Sequence, residues 1–335
     1  LGALFTSSLF LIPKGAWMLA VGVYGIATMG FSGANTFYDS LIPSIADEKK
    51  YDSVSALGYG LGYLGGGLLF AINVWMTLRP ETFGLESQAQ AVKFSFLSAG
   101  IWWMVFTLPL IFFVHEKRHA LSAQKFIIQQ GLKNLVSTIR EIRGKKTVSL
   151  FLIAYWLYID GVDTIVRMAV DYGLSLGFEA GDLISALLLT QFIGFPSAIF
   201  FGFLGRKIGT KRSILAAVCV YLFISFWGGF ISSKQEFYVL AAIIGLVQGG
   251  IQALSRSFYA RIIPEGKSAE YFGFYNMLGK FAVIFGPVLI GITGLIARSL
   301  GVEGDTASRL GICSIALLFI TGGIIFSFIG EEKRG

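Results

Sequence analysis

The chain has 335 residues, of which 55% are hydrophobic and only 14% are charged, and its mean hydropathy is +0.71. Soluble domains carry about 25% charged residues, so this composition predicts an all-α polytopic membrane protein instead. Both histidines lie outside the apolar segments, both cysteines are isolated, and no nucleotide-binding loop is recognisable. We therefore expect no disulfide framework, no ATP-driven pump, no metal, no cofactor and no enzyme active site.

Ten apolar segments are candidates for membrane-spanning helices, each of which needs about 20 residues. They lie at about 1–12, 16–42, 53–77, 94–114, 147–172, 182–204, 213–232, 237–262, 270–297 and 309–330. The first segment is incomplete, because residue 1 is Leu within an apolar run and no signal peptide is recognisable. We expect the chain to be a truncated form of a longer protein.

Lys and Arg are distributed unequally between the two sets of alternating loops. One set holds 18 of them and the other holds 6. Positively charged loops stay in the cytoplasm, so the basic set is predicted to be cytoplasmic. The expected location is a bacterial inner (cytoplasmic) membrane, with the C-terminus in the cytoplasm. The net charge of +7 then reflects topology and does not indicate nucleic-acid binding.

The second and third spans carry two different patterns. The second has a polar stripe at helical spacing that includes Asn35 and Asp39, which is typical of a cavity lining or of contacts between helices. The third repeats glycine every four residues at Gly58, Gly62 and Gly66, which predicts a close approach of another helix backbone.

The only long hydrophilic segment, residues 115–146, divides the chain. Its apolar residues are spaced for one helical face and basic residues surround them, which predicts an amphipathic linker helix on the cytoplasmic membrane surface. The predicted organisation is an N-terminal half of four spans (1–114), this linker (115–146) and a C-terminal half of six spans (147–335).

The first span of the C-terminal half contains Asp160, Asp163, Arg167 and Asp171 on one face. A charge near the bilayer centre costs about 2.5–3.5 kcal/mol on insertion scales, so this face is expected to meet water, a ligand or opposite charges. An internal ladder of ion pairs from Asp163 through Arg167 to Asp171 is one interpretation. It leaves Asp160 without a partner in its own helix. We therefore expect Asp160 and Asp163 to take part in proton coupling, with Trp156 and Thr164 beside them.

Two later spans add polar residues at helical spacing. One carries Gln248, Gln252 and Arg256, and the next carries Asn276 and Lys280 before a bend predicted at Gly286 and Pro287. In each half, a helix with polar residues is followed by a helix with glycine or glycine and proline. Such matching positions in two halves are typical of transporters that contain an internal structural repeat. The predicted substrate cavity is lined by Asn35, Asp39, Trp156, Thr164, Arg167, Gln248, Gln252, Arg256, Asn276 and Lys280.

Several stretches resemble one family within the major facilitator superfamily. They are residues 35–43 (NTFYDSLIP), 55–67 (SALGYGLGYLGGG), 155–173, 249–257 (GGIQALSRS) and 272–276 (FGFYN), and they are similar to the vacuole effluxer-like family of autophagy-related amino-acid exporters. The resemblance implies a two-half helical bundle of twelve spans, of which ten are present. The loop 202–212 looks like the basic loop of that superfamily, although Arg206 stands where an Asp is usual.

The resemblance and the polar stripes together suggest a secondary active transporter. It would move a small polar solute, amino acids first, by alternating access and with proton coupling. Arg256 or Arg167 would hold a carboxylate of the solute, and an Asp its amine. A proton-coupled drug or sugar exporter and a non-transporting membrane sensor are the alternatives. The expected partners are the solute, protons and the lipid bilayer.

Overall fold

The structure, a computed structural model, describes residues 1–114 and 127–330. Its regular elements within these residues are α-helices and short 3-10 turns, as the composition predicts. The N-terminal half contains α1 (Gly2–Ser8), α2 (Trp17–Ser40), α3 (Ile42–Ile45), α4 (Tyr51–Leu78) and α5 (Gln88–Phe113). Helix α6 (Ile127–Gly144) lies in the predicted linker, whose residues 115–126 are outside the described part of the chain.

The C-terminal half is a longer series of helices. It contains α7 (Lys146–Ser175), α8 (Ala180–Ile208), α9 (Thr210–Gly228), α10 (Lys234–Ile262), α11 (Ser268–Phe281), α12 (Phe285–Ser299), α13 (Gly304–Ser314) and α14 (Ala316–Ser327). The predicted bend at 286–287 is an interruption at residues 282–284, between α11 and α12.

The expected membrane architecture is confirmed in outline. Within the described residues, nine helical segments are long and apolar enough to cross a bilayer, and Gly2–Leu11 is a shorter apolar helix at the position of the first predicted span. Polar residues set several helix starts, because their side chains bind amides that the helix itself leaves free. Ser233 and Glu236 form a capping box at the start of α10, and the Ser87 hydroxyl accepts from the Gln90 amide at the start of α5.

Most of the buried core belongs to the C-terminal half. Large aromatic side chains fill the space between α7, α9, α10, α11 and α14, and the most buried of them include Phe151, Tyr158, Tyr221, Tyr259 and Phe319. The N-terminal half meets this core mainly through α2 and α4. Helix α4 packs on α8 and α10, and α2 packs on α11.

Only part of the glycine row predicted on α4 lies in close contacts: Gly58 lies against the side chains of Tyr38 and Arg256. A Cβ on Gly62 would meet nothing within 4 Å, whereas a Cβ on Gly60 would lie 3.2 Å from the Phe195 carbonyl oxygen of α8. Gly67 faces Gln191 of α8 in the same way, at 3.3 Å. The close approach of α4 to α8 therefore uses Gly60 and Gly67, seven residues apart.

The two ends of the bundle are identified by contacts near the ends of helices. At one end Lys211 donates to the carbonyl oxygen of Ile329 at 2.6 Å, Lys267 pairs with Glu141 of α6, and Arg261 bonds Thr210. We call this end the basic face; it carries the segments 41–50, 205–211 and 263–267, which connect successive membrane-spanning helices. At the opposite face Lys234 pairs with Asp182 at 2.6 Å, near the starts of α10 and α8.

Candidate functional site

Arg256 of α10 is buried at the boundary between the two halves. Its Nη1 lies 2.8 Å from Oδ1 of Asp39 in α2, and its side chain is 4% exposed. Its Nε donates to the Ser55 hydroxyl of α4 at 2.9 Å, and its Nη2 donates to the Ser55 carbonyl at 3.0 Å. The ion pair therefore joins the halves, and all three guanidinium nitrogens have partners.

Two tyrosine rings flank the same guanidinium. Its Cζ lies 4.6 Å from the ring centroid of Tyr59 and 5.3 Å from that of Tyr38, both within cation–π range. Gly58 makes room for this arrangement, because a Cβ there would lie 2.8 Å from the Tyr38 hydroxyl and 3.2 Å from Arg256 Nη2. These aromatic faces replace much of the water that a buried Arg loses.

Asn276 of α11 completes this cluster from a third helix. Its side-chain amide donates to Oδ2 of Asp39 at 3.0 Å and to the Phe272 carbonyl at 3.1 Å. Asp39 thus accepts a hydrogen bond from Arg256 on one carboxylate oxygen and from Asn276 on the other. We call Asp39, Ser55, Arg256 and Asn276 the inner layer.

A second polar cluster lies closer to the basic face. Asp52, near the start of α4, receives Arg261 Nη1 on Oδ1 at 3.0 Å and the Thr210 hydroxyl on Oδ2 at 2.8 Å. The Ser257 hydroxyl also bonds Oδ1. Arg261 follows Arg256 by five residues, so the two clusters are about 7.5 Å apart along α10. We call Asp52, Thr210, Ser257 and Arg261 the outer layer.

The outer layer joins Asp52 to the segment 202–212, in which Arg206 stands where the loop it resembles usually has an Asp. The Thr210 hydroxyl donates to Asp52 of the other half. A Cβ on Gly205 would lie 3.1 Å from Asp52 Oδ2, so glycine keeps this approach open.

Asp160 lies in the middle of α7 and is completely buried. Its Oδ2 accepts the Phe285 amide at 3.0 Å, and its Oδ1 accepts the Gly286 amide at 2.8 Å and the Thr164 hydroxyl at 3.1 Å. The sequence suggested a cation from another helix or a bound proton as its partner. The partner is instead the N-terminus of α12.

The other charges of α7 form no ladder. Within the described residues, Asp163 is half-buried, Arg167 and Asp171 are exposed, and no ion pair within 4.0 Å joins any two of them. The charges that act on Asp163 are those of Arg167, Lys280 and Asp160. Lys280 is exposed and lies 5.2 Å over the Phe31 ring of α2.

The remaining predicted cavity residues are half-buried and sparsely bonded. Gln252 accepts the Tyr63 hydroxyl at 3.4 Å, whereas Oε1 of Gln248 is buried without a partner among the described residues. The Trp156 ring lies 4.9 Å from that of Phe285, and its Nε1 is also buried and unpaired in this part of the chain. Asn35 is half-buried one helical turn before Asp39.

The predicted site residues therefore separate into groups. The structure brings Asp39, Arg256 and Asn276 together in the inner layer, and Asp160 with Thr164 at the start of α12. It does not join Arg167 or Lys280 to either group. Sequence reasoning missed Ser55, Tyr38 and Tyr59 around Arg256, and it missed the outer layer entirely. The available signal for Asp52 was an acid in the first turn of a predicted span, on the same predicted side of the membrane as the basic segment 202–212.

Comparison with known proteins identifies relatives along the whole chain. The model of the family described as "Vacuole effluxer Atg22 like" matches residues 1–334. An uncharacterized MFS-type transporter, YxiO of Bacillus subtilis, is 36% identical over 333 residues, which are 99% of this chain and 76% of that protein. Autophagy-related protein 22-2 of Aspergillus clavatus is 27% identical over 278 residues. That match covers 74% of this chain and 44% of the fungal protein, so the chain spans less than half of this relative.

A solved structure aligns over nearly the same length. The fucose:proton symporter FucP of E. coli, in a single-residue variant, aligns over 98% of both chains with a TM-score of 0.41 and 14% sequence identity.

Proposed function

This chain belongs to the vacuole effluxer Atg22-like family of MFS-type transporters, and from that premise we propose that it works as a secondary active transporter of a small polar solute, amino acids first, by alternating access with proton coupling. The single observation that carries the proposal is the pair of polar layers between the halves. Both layers lie towards the basic face, and both consist of ion pairs and hydrogen bonds contributed by the two halves.

Polar layers suit a boundary that opens and closes. Opening an apolar interface would expose its side chains to water at a cost in free energy. Charged groups and hydroxyls that separate can instead be hydrated by the water that enters. The inner and outer layers would then hold the solute path closed at the basic face. Their separation would open it to that side.

The solute site is proposed between these layers and the opposite face. Gln248 Oε1 and Trp156 Nε1 are an acceptor and a donor without partners among the described residues, and buried polar groups are normally hydrogen-bonded. Arg167 and Lys280 are free of ion pairs there, as is Asp163. A solute with a carboxylate and an ammonium group would match these charges. Arg256 fits this role less well than Arg167, because its nitrogens are already bonded.

Asp163 is the proposed proton carrier. It is half-buried, whereas both oxygens of Asp160 already accept hydrogen bonds from amides and a hydroxyl. A carboxylate that exchanges protons needs at least intermittent access to water. Asp163, beside Arg167 and Lys280, would gain that access as the cavity opens and closes.

Transport in proteoliposomes tests the proposal. The full-length protein should accumulate one or more labelled amino acids when a pH gradient is imposed. Asp163→Asn should lose accumulation but keep exchange of labelled for unlabelled solute, because exchange needs no net proton movement. Asp171→Asn, the same change two turns further along α7, should keep both. Accumulation of a sugar or drug alone would reject the amino-acid class. Ligand binding without any flux would reject transport.

The basic face is proposed to lie in the cytoplasm of a bacterial cell. The excess of Lys and Arg in its loops and the Bacillus relative support this orientation. In intact cells, an impermeant thiol reagent should label a cysteine at Glu81 and leave one at Lys207 unlabelled until the membrane is opened. The reverse pattern would invert the topology.

A further inference from the structure

The interruption between α11 and α12 falls inside one candidate membrane span, Ser268–Ser299. Helix α11 ends at Phe281 and α12 begins at Phe285. Pro287 explains the position of the break, because a proline ring clashes with the carbonyl four residues earlier and supplies no amide hydrogen. Four residues before Pro287 is Val283, at the centre of the interruption.

A helix that starts inside a membrane exposes amides that must be satisfied. At the start of α12, the Phe285 and Gly286 amides donate to the two oxygens of Asp160 at 3.0 and 2.8 Å. Pro287 has no amide hydrogen, and the Val288 amide bonds the Ile284 carbonyl at 3.3 Å. The Asp160 carboxylate therefore caps α12 from another helix.

The three donors that surround Asp160 suit an ionised carboxylate. Two amides and the Thr164 hydroxyl all give hydrogen bonds to it. The N-terminus of a helix also carries about half a positive charge, which favours an anion at this place. The only charged side chain of α12 is Arg298, at its far end, and the nearest acid on α7 is Asp163.

Close packing holds this arrangement in place. A Cβ on Gly286 would overlap the Thr164 hydroxyl oxygen and would lie 2.8 Å from Asp160 Oδ1. Only glycine allows the α12 backbone this close to α7. On the same helix, a Cβ on Gly291 would meet nothing within 4 Å, so Gly291 provides a matched control.

Both sides of the break contact α7, but in different ways. On α11, the Tyr275 ring stacks on the Tyr155 ring of α7 with the centroids 4.2 Å apart, and Asn276 bonds Asp39 of the other half. Helix α12 packs on α13, and among the described residues its hydrogen bonds to α7 are the two that Asp160 accepts. The polar attachment of α12 to α7 therefore depends on Asp160.

We infer that Asp160 is an ionised positioning residue that caps the start of α12 and fixes it to α7, beside the break at residues 282–284. This inference rests on the proposed transport function but assigns Asp160 a role other than proton carriage. Asp163 retains the proton role.

Hydrogen–deuterium exchange of the purified full-length protein tests the anchor without any solute. In Asp160→Asn, the side-chain NH2 group replaces one carboxylate oxygen. It then faces a backbone N–H of α12, so one hydrogen bond is lost. Peptides covering residues 282–290 should exchange about tenfold faster or more, the order expected when a hydrogen bond to a charged group is lost. Gly286→Ala should have the same effect, whereas Asp163→Asn and Gly291→Ala should not. Unchanged exchange in both Asp160→Asn and Gly286→Ala would overturn the anchor.

The pH profile of transport separates an anchor from a proton carrier. Thr164→Val removes one donor to Asp160 and leaves the two amides. If Asp160 is an anchor, solute exchange and pH-driven accumulation should fall together, and the midpoint of the pH profile should stay in place. If Asp160 carries the proton, losing a donor to its charged form should move that midpoint to higher pH, which would overturn the inference. Failure of the wild-type protein to transport any solute would reject the proposed function and leave the exchange result standing.

Discussion

At the scale of single residues, Arg256 and Asp39 differ in how they tolerate the loss of a partner. Both are buried, and each supplies a charge to the inner layer. A buried carboxylate can take up a proton and become neutral, but an arginine stays charged under all ordinary conditions. Asp39 would also keep Asn276 as a donor if Arg256 were removed. Arg256 would keep only the two oxygens of Ser55 and the tyrosine faces.

This asymmetry predicts an order of stabilities. Asp39→Asn leaves a buried guanidinium without its counter-charge and should lower the free energy of unfolding by about 3–5 kcal/mol. Arg256→Met should cost less, and the double variant Asp39→Asn/Arg256→Met should be more stable than Asp39→Asn alone. Thermal unfolding of the purified protein in one detergent measures all three. A double variant less stable than both single variants would contradict the proposed pairing.

The sequence identified most residues of the inner layer but not their arrangement. Asp39, Arg256 and Asn276 are polar residues in apolar spans, and their cost in a bilayer makes them visible without a structure. Their mutual distances depend on how α2, α10 and α11 pack, which no periodicity within one helix reports. The partners of Asp160 could not be predicted for a related reason. Its partners are backbone amides, and every residue except proline carries one, so no side-chain pattern could reveal them.

At the scale of elements, the sequence predicted a break within one helix better than it predicted a contact between two helices. Gly286 and Pro287 predicted an interruption, and the structure has one about a turn earlier because proline disturbs the residues before it. Of the predicted row Gly58, Gly62 and Gly66 on α4, Gly58 does lie in a close contact, but the approach to α8 uses Gly60 and Gly67. Gly60 and Gly67 are equally glycines, and only the position of α8 decides which set is used.

Helix α6 is held at the basic face by an ion pair that should respond to pH. The hydrogen bond from Lys267 holds the pKa of Glu141 below its ordinary value, and the same bond raises the pKa of Lys267. The lowered pKa of Glu141 stabilises docking above the ordinary Glu range, about 4.3, and this is lost as pH falls through the folded value. The raised pKa of Lys267 stabilises docking below about 10.4, and this is lost as pH rises through the folded value.

A spin label on α6 would measure this docking. Attached at the exposed position of Ser137, the label should show constant mobility around neutral pH and greater mobility at either extreme. Glu141→Gln should raise mobility at neutral pH and flatten the acid response. Both side chains of the pair are partly exposed, so the effect is expected to be small. An unchanged acid response in Glu141→Gln would assign the transition to other groups.

At the scale of the whole molecule, the halves meet along α2, α4, α8, α10 and α11, and their polar contacts gather towards the basic face. A Cβ on Gly273 of α11 would lie 3.8 Å from Thr36 Cγ2 of α2, close enough for a disulfide across the boundary. In a protein whose Cys219 and Cys313 are replaced, Thr36→Cys/Gly273→Cys should oxidise readily and stop transport. A reductant should restore it.

A second disulfide within one half provides the control. A Cβ on Gly228 would lie 3.5 Å from Ile312 Cγ2, and both residues belong to the C-terminal half. Gly228→Cys/Ile312→Cys should oxidise without stopping transport, because no boundary between halves is bridged. Full transport with the Thr36–Gly273 disulfide formed would show that α2 and α11 do not separate during the cycle.

The shared carboxylate of Asp39 also constrains how this protein can diverge. A lineage that loses Arg256 first retains an acid that can become neutral and still bind Asn276, so it passes through a tolerable intermediate. A lineage that loses Asp39 first must keep a buried cation that nothing neutralises. Evolutionary loss of this ion pair should therefore begin with Arg256 and not with Asp39. Among natural relatives, sequences with an acid at position 39 and no arginine at position 256 should occur, and the opposite combination should be rare.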